Sequence, residues 1–77
     1  MKIVATCPLC GETHYIDLID DEFELFKLYE AGFGHIQDML PMLNPTEREF
    51  LMTGYCPNCQ KMLFGVDTTT DRIHPGE

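Results

Sequence analysis

Basic side chains are scarce in this sequence: 5 lysines and arginines stand against 13 aspartates and glutamates, for a formal net charge of -8. Nucleic-acid affinity comes largely from cations that neutralise phosphates, so the balance disfavours DNA, RNA and anionic membrane surfaces. A basic protein partner suits the field better, and acidity also serves solubility. Long apolar runs are missing too, since no stretch approaches the ~18 residues that a spanning helix needs. The opening Met1-Lys2-Ile3-Val4-Ala5-Thr6 reaches Cys7 without a secretory apolar segment of about 7–15 residues. The cytoplasm is therefore the expected compartment. With 77 residues there is room for one domain only.

A core this small supplies roughly 3–5 kcal/mol of net stability, so such folds usually carry a staple. Four cysteines in two Cys-Pro-x-Cys pairs, Cys7–Cys10 and Cys56–Cys59, are the candidate. Reducing surroundings favour metal over disulfide. Two residues between cysteines let both sulfurs of a pair face one ion, and the proline fixes the turn. Four thiolates at about 2.3 Å complete tetrahedral zinc and leave no open position, which makes the ion structural. Thus Cys7, Cys10, Cys56 and Cys59 are read as the ligands of one Zn2+. Gly11 after Cys10 permits the positive φ of such a knuckle; Gln60 holds the matching place in the second and implies a different turn there. Two other chemistries compete. Iron on the same cysteines would make an electron carrier. Thioredoxin-like exchange needs a C-x-x-C at a helix N-terminus within a βαβ unit, a setting read for neither pair.

Around the cysteines, Ile3–Thr6 and Thr13–Leu18 alternate as strands of a hairpin with the first knuckle at its tip, His14, Ile16 and Leu18 sharing one face. A helix is expected from about Asp21 to Ala31, capped by Asp20 or Asp21 and stopped at Gly32. Ile36 to Leu40 reads as a helical turn or a short strand, ended by Pro41. Asn44-Pro45-Thr46-Glu47 is a helix start with N-cap, first-turn proline and capping-box glutamate, and that helix runs to about Thr53 before Gly54. Lys61 to Val66 reads as a closing strand, and 67–77 as a flexible tail with little to bury. The fold class is a small α+β zinc ribbon, both knuckles on β-hairpins, with a helical insertion over about 20–54 in a domain of residues 1–66.

No nucleophile or partner base accompanies His14, His35 or His74, so no catalytic site and no small-molecule substrate is read. His35 lies near Gln37 and Asp38. Glu47-Arg48-Glu49 reads as a cap and a solvated face, with Arg48 placed to pair with Asp38 across the insertion. The apolar residues of the insertion outnumber what a ribbon can cover, the first helix being apolar round most of its circumference. Either a compact core leaves Leu25 or Leu28 partly exposed, or an apolar patch serves a protein partner or a homodimer.

The stretch HIQDMLPMLNPTEREFLMTGYCPNCQKMLF, His35 to Phe64, together with the first knuckle, resembles a family of small uncharacterised zinc-ribbon proteins of bacteriophages and bacteria. Ile36-Gln37-Asp38, Pro41, Leu43, Glu47-Arg48-Glu49-Phe50-Leu51, Gly54, Cys56, Cys59 and Phe64 carry the likeness. It implies a recurrent polar cluster of Gln37, Asp38, Glu47 and Arg48, which locks the insertion or meets a partner, and His35 is grouped with them as a candidate. Members carry an aromatic residue where Gln60 stands. The expected function is a protein-binding adaptor or regulator with structural zinc, docking through its acidic and apolar insertion. The alternatives are a nucleic-acid-binding ribbon within a larger complex and the iron electron carrier.

Overall fold

A computed structural model describes residues 1–65, 67 and 70–76. Two strands, β1 (Lys2–Thr6) and β2 (Thr13–Asp17), form the expected antiparallel hairpin, with Ile3 opposite Ile16 and Ala5 opposite His14. The alternation of β2 holds, since His14 and Ile16 are buried together with Leu18 beyond the strand end. Three helical segments follow: α1 (Asp20–Glu30), the single turn α2 (Ile36–Met39) and α3 (Pro45–Thr53). They occupy the expected insertion, and Ile36–Met39 resolves to a helical turn.

The cap of α1 differs from the expectation. Ile19 is its N-cap, and the Glu22 carboxylate accepts from the Ile19 N–H at 3.1 Å, the half of a capping box that an isoleucine allows. Asp20 and Asp21 instead fill the first turn, where the positive end of the helix dipole favours them. At α3 the full box forms. Asn44 Oδ1 accepts from the Glu47 N–H at 2.8 Å, and Glu47 Oε1 accepts from the Asn44 N–H at 3.0 Å. Gly54 ends α3 at φ 83°, a conformation that a side chain would strain.

Two expectations fail beyond Gly54. The closing strand from Lys61 is a helix, α4 (Pro57–Phe64), so the second knuckle is not on a hairpin. Cys56 is its N-cap and Pro57 its first residue, and Gly65 stops it at φ 66°. Gln60, Lys61, Met62 and Leu63 are good helix formers without a β-branch, and a ready-made N-terminus lets that preference win. Val66, the end of the expected strand, lies outside the described residues, as do Thr68, Thr69 and Glu77 of the expected tail. The strand that completes the sheet is β3 (Ile73–Pro75), antiparallel to β2 with Ile73 opposite Ile16, giving the order β1-β2-β3. Residues read as having little to bury therefore supply Ile73 to the core.

The core lies between the inner sheet face and α1 to α3. It contains Ile16, Leu18, Phe26, Ile36, Leu40, Leu43, Phe50 and Ile73, with Ile3, Phe23, Leu25, Tyr29 and Leu51 packed at its edge. Burial of eight apolar side chains at roughly 1.5–3 kcal/mol each is the main favourable term in this fold. None of the eight belongs to α4. On α1, Phe26 is buried, Leu25 is half-buried and Leu28 is exposed.

Candidate metal centre

The sulfurs of Cys7, Cys10, Cys56 and Cys59 all lie within 4.8 Å of one another. Four sulfurs at about 2.3 Å from one tetrahedral ion stand about 3.8 Å apart. The Cys10 and Cys56 sulfurs, one from each knuckle, are 3.6 Å apart, close to that spacing.

Each half is shaped locally. In the first knuckle the Gly11 N–H donates to the Cys7 carbonyl at 2.8 Å and the Cys7 N–H to the Glu12 carbonyl at 2.8 Å, closing the turn between β1 and β2. Gly11 takes φ 77°, as the sequence required. In the second, the Cys59 N–H donates to the Cys56 sulfur at 3.4 Å. A helix start replaces the glycine turn, which is why Gln60 is tolerated: it continues α4 and needs no positive φ.

Gln60 does more than fill the place. It is 2% exposed, and its Nε2 donates to the Thr46 carbonyl at 3.1 Å and the Tyr55 carbonyl at 3.0 Å. The amide thus ties the second knuckle to the first turn of α3. An aromatic residue there would supply packing in place of two hydrogen bonds.

The donor set suits a cation. Burial pushes the Cys7 thiol up, but hydrogen bonds from the backbone of Cys56, Cys10 and Leu9 outweigh it and bring Cys7 down to about 6. Cys59 is driven up by the Cys56 thiol first and by burial second, and Cys56 is driven up chiefly by burial. Without an ion the cluster readily holds one thiolate and resists the next, because like charges crowd. A divalent cation reverses that balance and releases protons as it binds. The four cysteines lie in a cluster that could hold a metal ion.

One exclusion needs correction. Cys56-Pro57-Asn58-Cys59 does sit at a helix N-terminus, although the element directly before α4 is the helix α3 and no βαβ unit forms around it. What separates it from an exchange motif is the company of two further thiols.

The other expected site residues divide. Glu47 is buried, and besides its capping bond its Oε2 accepts from the Thr70 hydroxyl. It is a locking residue. His35, Gln37 and Asp38 are exposed, and the His35 carbonyl accepts from the Asp38 and Met39 N–H groups at 3.0 Å as α2 begins. Arg48 forms no ion pair with Asp38 among the described residues, and its Nε is buried without a partner. Arg48 and Gln37, with Ile36, Pro45, Glu49 and Met52, line a groove of ≈ 280 Å³ between α2 and α3. His14 lies on the inner sheet face, outside the cysteine cluster, with its Nδ1 lacking a partner among the described residues. Glu22 and Arg72 escaped the sequence reading. Glu22 is buried and accepts from Arg72 Nη1 at 2.7 Å, and only the acidic first turn of α1 hinted at it. No helix among the described residues is long and apolar enough to cross a membrane.

Compared with protein families, curated proteins and solved structures, the chain matches none of them.

Proposed function

We propose that this chain is a non-catalytic protein-binding module of the zinc-ribbon type, with one structural Zn2+ on Cys7, Cys10, Cys56 and Cys59. The observation that carries the reading is the convergence of four sulfurs, from two segments far apart in sequence, to within 4.8 Å of one another. Four thiolates saturate such an ion, so its contribution is to hold α4 against the hairpin. In a reducing cytoplasm the thiols stay available to the metal.

The partner-binding face lies on the helical insertion. Phe33 is 74% exposed, and Leu28, Met42 and Met52 are exposed as well. Met52 lines the Arg48 and Gln37 groove, and exposed apolar side chains beside polar ones suit a protein surface better than a small molecule.

Elemental analysis with a visible spectrum tests the centre. One equivalent of zinc and no colour is the expected result. Iron with visible charge-transfer bands would move the chain to electron transfer. The docking face is tested by Phe33→Ser with Met52→Ser, which should abolish capture of a saturable partner while metal content stays unchanged. Loss of a dimer in the same variant would make the partner a second copy.

A further inference from the structure

The sheet has two edges, and only one of them is closed. At one end of the hairpin the Met1 and Leu18 backbones exchange hydrogen bonds at 2.7 and 2.8 Å, and at the other the Cys7 N–H donates to the Glu12 carbonyl. In an antiparallel ladder such pairs fall on every second residue. Met1, Ile3, Ala5 and Cys7 therefore face β2, while Lys2, Val4 and Thr6 turn their N–H and C=O groups outward. Among the described residues no backbone bond from another element meets those groups. Gly54 passes beside the Thr6 carbonyl without a side chain to cover it. On the far side of the sheet, Gly76 donates to Thr13 and His74 stands opposite Tyr15, so Ile73 and Pro75 face outward from β3. Pro75 has no N–H to offer and closes that edge. The β1 edge has no such block.

We propose that β1 pairs, edge to edge and antiparallel, with β1 of a second copy of this chain, joining two three-stranded sheets into one across a two-fold axis at Val4. The unpaired backbone groups call for an extended strand, and three features select the chain's own. The first is charge. Residues 1–11 hold no aspartate or glutamate, so two chains of net charge -8 can meet there without acidic side chains at the seam. The second is register. With Val4 opposite Val4 of the second copy, Lys2 falls opposite Thr6, so the three outward residues pair among themselves and no like charges stand face to face. The third is side-chain packing. Ile3 and Ala5 pack against the core, which leaves Val4 on the outer face, 63% exposed. It lies in one row with Tyr15 and His74, whose rings are 5.4 Å apart. Across the axis that row runs on into its copy, and two β-branched side chains leave water together. The pairing uses neither the insertion nor the cysteine sulfurs, so it stands apart from the docking role proposed above.

The test follows the full chain by sedimentation and by 15N amide spectra from about 0.01 to 1 mM, a range suited to a contact this small. The expected result is a dimer whose share grows with concentration, with shifts and exchange protection of the Lys2, Val4 and Thr6 amides rising together. Added salt should tighten it, because screening weakens the repulsion between two chains of -8. Val4→Pro deletes the donor on the axis and should weaken the dimer by about tenfold or more. Val4→Lys and Val4→Glu should each weaken it by setting like charges face to face. Mixing those two charged variants should restore a dimer, a result that a merely misfolded strand would not give. A chain that stays monomeric to the top of the range overturns the proposal and leaves the edge to a strand of another protein. So does a dimer that the Val4 variants leave intact, or one that Phe33→Ser with Met52→Ser abolishes, which would move the contact to the insertion.

Discussion

Glu22 and Glu47 hold the same place in two different helices, the third position, and each is gripped from outside by the same C-terminal segment. Glu22 accepts from the Ile19 N–H within its own helix and from Arg72 across the fold; Glu47 accepts from the Asn44 N–H and from the Thr70 hydroxyl. Two capping residues thus become anchor points for a strap that ends in β3. Local helix chemistry and long-range closure are written into the same carboxylates.

The Glu22–Arg72 pair predicts an acid-dependent contribution to stability. The Arg72 hydrogen bond holds the Glu22 carboxyl below its ordinary value of 4.5, against the opposing effect of burial. A depressed carboxylate contributes fully above its unfolded pKa and loses that contribution as pH falls through the folded value. Glu22→Gln should therefore cost about 1.5–3 kcal/mol near neutrality. The lower end is favoured, since the Arg72 side chain is 35% exposed and can rehydrate. The difference should shrink as pH drops below 4.5. Denaturant midpoints of both proteins across that range check it, and a difference independent of pH would sink the assignment.

The divided polar cluster predicts opposite behaviour at neighbouring positions. Glu47→Ala removes a capping interaction and the anchor of Thr70, at a cost of about 1–2 kcal/mol. Arg48→Ala removes a side chain with no ion pair among the described residues and should change stability by less than about 1 kcal/mol. Arg48→Ala should instead weaken capture of a partner at the groove. Thermal melts and partner titrations of the two variants separate the roles, and equal destabilisation would return both residues to the lock.

Gln60 gives a third prediction. Gln60→Leu keeps the volume but leaves the Thr46 and Tyr55 carbonyls without their donor. Each orphaned carbonyl costs about 1–3 kcal/mol where water cannot reach it. The variant should lose stability and bind metal more weakly, because the second knuckle loses its tie to α3. Gln60→Phe tests whether an aromatic residue substitutes by packing. If both variants match the parent in chelator competition, the amide is incidental.

How much of this was legible in the sequence follows from how local each signal was. The start of α3 was readable residue by residue, because Asn44, Pro45 and Glu47 act within one turn. The hairpin was equally open, with alternation in β2 and Gly11 at the knuckle. The cysteine cluster was legible because C-x-x-C spacing is itself a geometric constraint. Helix α4 was not, although the signal existed: Cys56 can cap, Pro57 suits the first helical position, and four helix formers follow. Reading the pair as a hairpin knuckle hid it. Strand β3 offers only Ile73, His74 and Pro75, and its pairing with β2 depends on Arg72 and Thr70 reaching partners far back in the chain. Such non-local closure leaves no local pattern.

Metal removal should act first on α4. That helix contributes none of the eight core side chains, and its hold on the rest runs through the cysteines and Gln60. Stripping the ion with a chelator should abolish hydrogen-exchange protection over α4 and the first knuckle before β1–β2 and α1–α3 lose theirs. Structural zinc contributes roughly 10–16 kcal/mol in small metal-dependent folds, against roughly 3–5 kcal/mol from a core of this size, so wider unfolding should follow on mild heating. The sign of the pH dependence is set by the raised Cys56 and Cys59 thiols, which hold protons that the ion must displace. Metal affinity should thus fall steadily as pH drops from 8 toward 6, steeply enough to show release of more than one proton. Metal-free protein with α4 fully protected, or an affinity flat across that range, would show that the four thiols are not the ligands and that the helix stands by other means.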